Sequence, residues 1–386
     1  MSEMTPRQRV LAALNHQEPD RVPVALGGGP YGIVDELYFK LLNLLDMGTP
    51  VAPFRSGHNI SYMDDRLLDR LGTDVRYVWP GASPSSPAQA TADPDTFLDG
   101  FGQVWKRALP YFYADTGILH AATHPDEIDE LVTWPDTSLP QWTAGVSERA
   151  VELRATTDCF IAARMVMSHG VFQTACDLRG TAEFMMDLVL NEEFAQRLLD
   201  RVTATIDGLL AEYVQAAGDA IDLIELPGDD YASNQNLLIS PQMFERFIMP
   251  ALRQLVGTIR AHNPALKIML HSDGHIAALL PYFVELGIDV VHPLEPVAAA
   301  DLDAIKAEYG DRLAFLGGID ISHAMPGTQD MVRAEVARRI TQLAPGGGYV
   351  LVPCNHLQAD VPPENVVALF EAAHELGRYP LRTVAP

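Results

Sequence analysis

From residue 160 onward, short apolar runs of strand length alternate with longer amphipathic stretches, and this alternation constrains the fold more than any other feature. The runs are Phe160–Met167, Ala220–Leu226, Lys267–Leu270, Asp289–His292, Leu313–Leu316 and Tyr349–Val352. Helical patterns cover 181–217, 241–262, 275–286, 300–308, 328–343 and 363–376. Such alternation argues for βαβ units on a parallel sheet. The runs carry almost no polar residues, as strands buried on both faces require. Adding Val22–Leu26 and Asp74–Val78 brings the strand number to eight. A closed (β/α)8 barrel of the TIM type accounts for that number, with a doubly wound sheet as the competing arrangement.

The N-terminus reads as a helical extension: Thr5 caps, Pro6 takes the first helical position, and Val10, Leu11 and Leu14 share a face. Residues 80–98 read as a loop. Residues 99–145, with Trp105, Trp134 and Trp142 among prolines and aspartates, read as irregular structure with a hairpin. No linker divides the chain, so 1–386 is expected to be a single domain. With 27 basic against 51 acidic residues the net charge is −24, which repels phosphate backbones and anionic lipids. Nucleic acid and membrane are therefore excluded as partners. Cys159, Cys176 and Cys354 are too few and too odd in number for a disulfide framework. With no apolar run of signal-peptide or membrane-span length, the expected location is the cytoplasm.

In a barrel of this kind the active site lies at the C-terminal ends of the strands. Those ends carry ligand-capable side chains repeatedly: Asp229-Asp230-Tyr231, His271-Ser272-Asp273, Glu295, Asp320, and Cys354-Asn355-His356. His271, Glu295 and Cys354 offer a nitrogen, an oxygen and a sulfur donor, a mixed set that suits Zn²⁺.

The segments TPRQRVLAALNHQEPDRVPV, LHSDGHIAALLPYFVELGIDVVHPLEP, GDRLAFLGGID and GGGYVLVPCNHLQADVPPENVVALFEAA resemble the uroporphyrinogen decarboxylase superfamily over residues 5–376. The resemblance implies a (β/α)8 barrel and one of two activities. The metal-free decarboxylases carry a basic RQAGR-type segment after the first strand; here Leu26–Gly32 holds no arginine. The zinc methyltransferases, and the similar barrel of cobalamin-independent methionine synthase, carry His-x-Cys, a later Glu and a last Cys. His271, Glu295 and Cys354 match that pattern, and Asp273 stands where the first Cys would be. The implied metal ligands are thus His271, Asp273, Glu295 and Cys354.

Replacing a thiolate by a carboxylate makes zinc a harder Lewis acid toward oxygen. The expectation is therefore a methyltransferase that demethylates a methoxylated small molecule and passes the methyl group to a corrinoid (cobalamin) protein or related acceptor. Methylcorrinoid-to-thiol transfer and metal-free decarboxylation are the alternatives. Asp230, His275 and His356 are the candidate catalytic residues; Tyr31, Met165, Met167, His169, Tyr231, Asn234 and Asp320 are the candidates for the surrounding pocket. His292 reads as structural. The resemblance also implies a homodimer.

Overall fold

A computed structural model describes residues 3–381 apart from 53–54, 56–58 and 109–110. Seven parallel strands form the central sheet: β1 (Val75–Val78), β6 (Phe160–Ala163), β7 (Leu223–Glu225), β8 (Lys267–His271), β9 (Val290–Leu294), β10 (Ala314–Ile319) and β11 (Tyr349–Pro353), paired in that order. Four shorter strands, β2 (Gln89–Ala90), β3 (Thr96–Leu98), β4 (Val104–Ala108) and β5 (Tyr111–Ala114), form a separate antiparallel meander. Nearly every residue of the parallel strands is buried, because helices cover the outside and side chains fill the inside.

The expected first strand, Val22–Leu26, closes the barrel without forming a ladder. It lies between β1 and β11: Asp74 N–H donates to Val24 O (2.8 Å), Leu351 N–H to Pro23 O (2.9 Å), and Ala25 N–H to Leu351 O (3.2 Å). Pro23 has no N–H to give, so the segment makes only the bridge Val24 to Leu351. The glycines at 27, 29 and 32 have the spacing of a dinucleotide loop, but the Gly29 N–H is taken by Glu225 Oε2 at 2.7 Å and no helix starts before Asp35. A phosphate has no helix N-terminus to meet there.

The N-terminal helix, Pro6–Leu14, forms as expected, with a capping box between Thr5 and Gln8. The expected strand Phe160–Met167 stops at Ala163, and a helix not anticipated from the sequence runs over Val171–Arg179. Its first amides, Phe172 N–H (3.1 Å) and Gln173 N–H (2.7 Å), donate to the Asp229 carboxylate at the exit of the neighbouring β7. The 181–217 pattern is two helices, Thr181–Leu190 and Glu192–Ala217, broken at Asn191. Within 241–262 the turn over Phe244–Ile248 widens to π spacing just before Pro250, which lacks the N–H an α-helical turn would use.

The region expected to be a loop (80–98) and irregular structure with a hairpin (99–145) contains the meander, whose β4–β5 pair is that hairpin. Asp99 anchors it by accepting from Phe101 N–H, Gln103 N–H and Trp105 Nε1–H at 2.9, 3.0 and 2.8 Å. Phe97, Trp105 and Phe112 gather on one face, with Phe97–Phe112 ring centres 5.1 Å apart. Among the described residues no helix is long and apolar enough to cross a membrane.

Candidate metal centre

A cavity of about 1060 Å³ opens where the parallel strands end, with the meander aromatics Phe97, Trp105, Tyr111 and Phe112 forming part of its wall. At its base sits His271, the last residue of β8. His271 Nδ1 lies 2.9 Å from His292 Nδ1, and His292 Nε2 lies 3.3 Å from Pro353 O. A carbonyl only accepts, so the His292 proton is on Nε2 and its Nδ1 accepts from His271 Nδ1–H. His271 Nε2 is therefore left as a lone pair. It faces Asp230 Oδ1 and Asp273 Oδ1, each 3.8 Å away. Burial lowers the proton affinity of His271 despite its acidic neighbours, and burial beside His271 lowers that of His292 further.

Asp273 is equally constrained. Its N–H donates to Asp230 Oδ1 (2.9 Å) and its Oδ2 accepts from Asn355 Nδ2 (2.5 Å). Its Oδ1 is buried with no hydrogen-bond partner. Burial and the charges of Asp230 and Glu295 push its carboxyl well above the ordinary range. Ligand atoms of Asp230, His271 and Asp273 lie within 4.8 Å of one another. A lone pair aimed at two carboxylate oxygens, one of them an orphaned buried atom, is unfavourable unless a cation lies between them. The donor set therefore fits a divalent metal.

Glu295 and Cys354 flank this group. Gly274 N–H donates to Glu295 Oε2 at 2.8 Å. That approach depends on glycine: Gly274 has φ +85°, and a Cβ there would lie 2.7 Å from Ser233 O. Cys354 is buried beneath, its Sγ 3.9 Å from Leu294 O. Burial and the charges of Glu295 and Asp273 raise its thiol. Of the four ligands expected from the sequence, His271 and Asp273 fall in the tight cluster, where Asp230, expected as catalytic, joins them; Glu295 and Cys354 lie outside it.

Met165, Met167, His169 and His356 line the cavity. His356 Nδ1 accepts from Gly32 N–H (2.9 Å), which puts its ring proton on Nε2. His169 Nδ1 pairs with Asp177 Oδ2 at 2.6 Å; burial opposes its charge, but the Asp177 carboxylate outweighs burial and raises its proton affinity. The structure puts the other candidates away from the cavity wall. Tyr31 and Tyr231 are fully buried and spend their hydroxyls on Glu225 (3.0 Å) and Asp229 (2.9 Å). Asn234 is exposed, and the His275 N–H donates to Ser233 O. Asp320 caps its own turn through Ser322 N–H and His323 N–H. These polar groups satisfy local backbone or buried partners, which strand-exit position alone does not reveal.

The sequence marked His292 as structural and Asn355 only as a strand-exit residue, and gave no role to Arg55 or Arg164. Replacing His292 with Phe removes the acceptor that fixes the His271 tautomer. The expected outcome is metal binding weaker by about 10–100-fold, read by chelator competition, with the circular dichroism spectrum unchanged.

A family model described as uroporphyrinogen decarboxylase (URO-D) matches residues 162–376. A uroporphyrinogen decarboxylase of Legionella pneumophila (strain Lens) is 24% identical over 193 residues, covering 50% of this chain and 51% of that protein. One from Pseudomonas aeruginosa (strain LESB58) is 26% identical over 204 residues, covering 52% of each. The matched region spans about half the length of these curated relatives. A solved structure, a methyltransferase from Methanosarcina mazei, has the same fold with a TM-score of 0.62, 21% identity, and coverage of 97% of this chain and 99% of that one.

Proposed function

The chain belongs to the uroporphyrinogen decarboxylase family, and from that premise we propose that it is a zinc-dependent methyltransferase that demethylates a methoxylated aromatic compound and delivers the methyl group to a corrinoid protein. The observation that carries this reading is the His271 Nε2 lone pair facing the unpartnered Asp273 Oδ1 at the floor of the cavity. Metal-free decarboxylation gives no reason for such an arrangement. His271 and Asp273 would hold the metal, with Asp230 and Glu295 beside them in the cavity lining and the buried Cys354 nearby. Bound there, zinc would supply Lewis acidity toward an ether oxygen.

The chain's own residues do the rest. His292 and Asn355 hold His271 and Asp273 in their ligating orientations. The aromatic wall excludes water and orients a flat substrate. A corrinoid acceptor would supply the nucleophile for the methyl carbon, with the bonding pair remaining on the ether oxygen. His169, which lines the cavity and whose proton affinity Asp177 raises against burial, is the residue placed to give its Nε2 proton to that oxygen.

The test has two parts. Metal content is measured for the wild type beside Asp230→Asn and Cys354→Ser; about one zinc per chain, lost in one variant and kept in the other, identifies the fourth ligand. The zinc protein is then mixed with reduced cobalamin and methoxybenzenes, and methylcobalamin formation is followed by absorbance. Methylation of thiols from methylcobalamin, with no methoxyarene consumed, would replace this reading by the thiol-transfer alternative.

A further inference from the structure

Arg55 and Arg164 are the lysine or arginine residues lining the cavity, in a chain whose net charge is −24. Arg164 is buried at the exit of β6, and Arg55 comes from the segment between the helices Asp35–Leu44 and Asp65–Arg70. Their guanidinium hydrogen bonds go to backbone carbonyls, Arg55 Nη1 to Ile60 O (3.3 Å) and Arg164 Nη2 to Gly29 O (3.4 Å). Neither makes an ion pair with a carboxylate among the described residues. Both lie instead over the Tyr62 ring, at 5.2 Å and 5.0 Å from its centre. Tyr62 in turn stacks on Trp79 at 4.6 Å. An aromatic face attracts a cation without neutralising it; the carboxyl that feels the Arg164 charge is buried Glu225, whose oxygens are taken by Gly29 N–H and the Tyr31 hydroxyl and whose proton affinity burial raises against the pull of Arg164. Burial, followed by the neighbouring Arg164 charge, lowers Arg55 to about 10, which leaves it charged at neutral pH.

The cavity is therefore polarised. Asp177, Asp230, Asp273 and Glu295 line it along with the metal cluster, against the two guanidiniums. A polycarboxylate such as a tetrapyrrole would set most of its charges against those acids. A single carboxylate on an aromatic ring matches both features.

Resting on the methyltransferase reading above, we propose that Arg55 and Arg164 form the carboxylate-binding end of the cavity and that the substrate is a methoxylated aromatic acid, its carboxylate on the arginine wall and its ether toward the metal cluster. Each guanidinium offers the planar edge that a carboxylate can take with two hydrogen bonds.

Binding of 4-methoxybenzoate, benzoate and uncharged methoxybenzene to the zinc-loaded protein is measured by calorimetry, with wild type, Arg164→Gln, Arg164→Lys and Arg55→Gln compared. The expected result is that both acids bind the wild type and methoxybenzene binds about 10–100-fold more weakly, with each Gln variant losing a similar factor for the acids only. Arg164→Lys, which preserves the charge and the stack's volume, retains part of the affinity and guards against misfolding of the Gln variant. Equal binding of charged and uncharged ligands overturns the proposal. So does acid binding that survives the arginine changes but disappears on metal removal, because the carboxylate then sits on the metal. Arginine-dependent binding of benzoate without any demethylation would leave this anion site standing and remove the methyltransferase reading; demethylation indifferent to the carboxylate would do the reverse.

Discussion

Replacing His271 with alanine is expected to cost the protein its metal and, with it, methyl transfer. His271 is the side chain whose donor atom is fixed in advance: its Nδ1 proton is committed to His292, so Nε2 has no other role than to accept. Losing an outer partner of a metal ligand costs about 10–100-fold in affinity, and losing the ligand itself is expected to exceed that range. Asp273→Asn should act in the same direction but less strongly, because the amide retains one oxygen donor. In the metal-free protein, burial and neighbouring acids hold Asp273 and Cys354 toward their protonated forms. Metal must displace those protons, so affinity should rise with pH in the wild type. Chelator competition across pH, with proton release followed alongside, measures both effects. Wild-type zinc content in His271→Ala, with the fold intact, would end the case for this centre.

How far the site could be read in advance follows from where each residue's partners lie in the chain. His271, Asp273, Glu295 and Cys354 were legible because each follows an apolar strand, and barrel geometry brings strand exits together. The same rule misplaced Tyr31, Tyr231, His275, Asn234 and Asp320, since an exit residue can equally satisfy a buried neighbour, as Tyr231 does Asp229. Arg55 and Arg164 left no pattern: one sits in a loop and the other just past a strand, and only folding puts both over Tyr62. His292 was legible as buried, but its role depends on the 2.9 Å contact to His271 that strand pairing creates. For the fold, β7 to β11 were legible because both faces are buried. Of the meander only the β4–β5 hairpin was legible; β2 and β3 were not, because they are short and half-exposed. The closing segment Val22–Leu26 was legible as a strand, but Pro23, lacking an N–H, reduces it to a bridge in place of a ladder.

That closing stave is the subject of the second large effect: Asp74→Ala is expected to destabilise the protein by about 3–5 kcal/mol. The Asp74 side chain is 1% exposed. Its Oδ1 accepts from Arg9 Nη1 (2.6 Å) and Arg21 Nη2 (2.8 Å), and its Oδ2 from Arg21 Nη1 (2.8 Å) and the Val24 N–H (2.9 Å). One carboxylate thus ties the N-terminal helix and the residue-21 turn to the stave that completes the barrel. Removing it leaves Arg9, also buried, with Asp20 as its remaining carboxylate partner (2.6 Å) and strips an N–H of the stave. The cost is the loss of the buried carboxylate that pairs Arg21 and one of the two carboxylates on Arg9, which far exceeds the value of a surface pair. Asp20 adds a pH signature. Burial raises its carboxyl, but the Arg9 guanidinium and the Met4 and Arg21 amides outweigh burial and bring it down to about 2. Its folded-state pKa lies below the unfolded value of about 3.9, so its contribution is present above that value and is lost as pH falls through about 2. Denaturant unfolding of wild type and Asp74→Ala at neutral pH, and of wild type from pH 5 downward, measures both. A variant within about 1 kcal/mol of wild type would mean that the helices outside the barrel, and not this carboxylate, hold the closing stave in register.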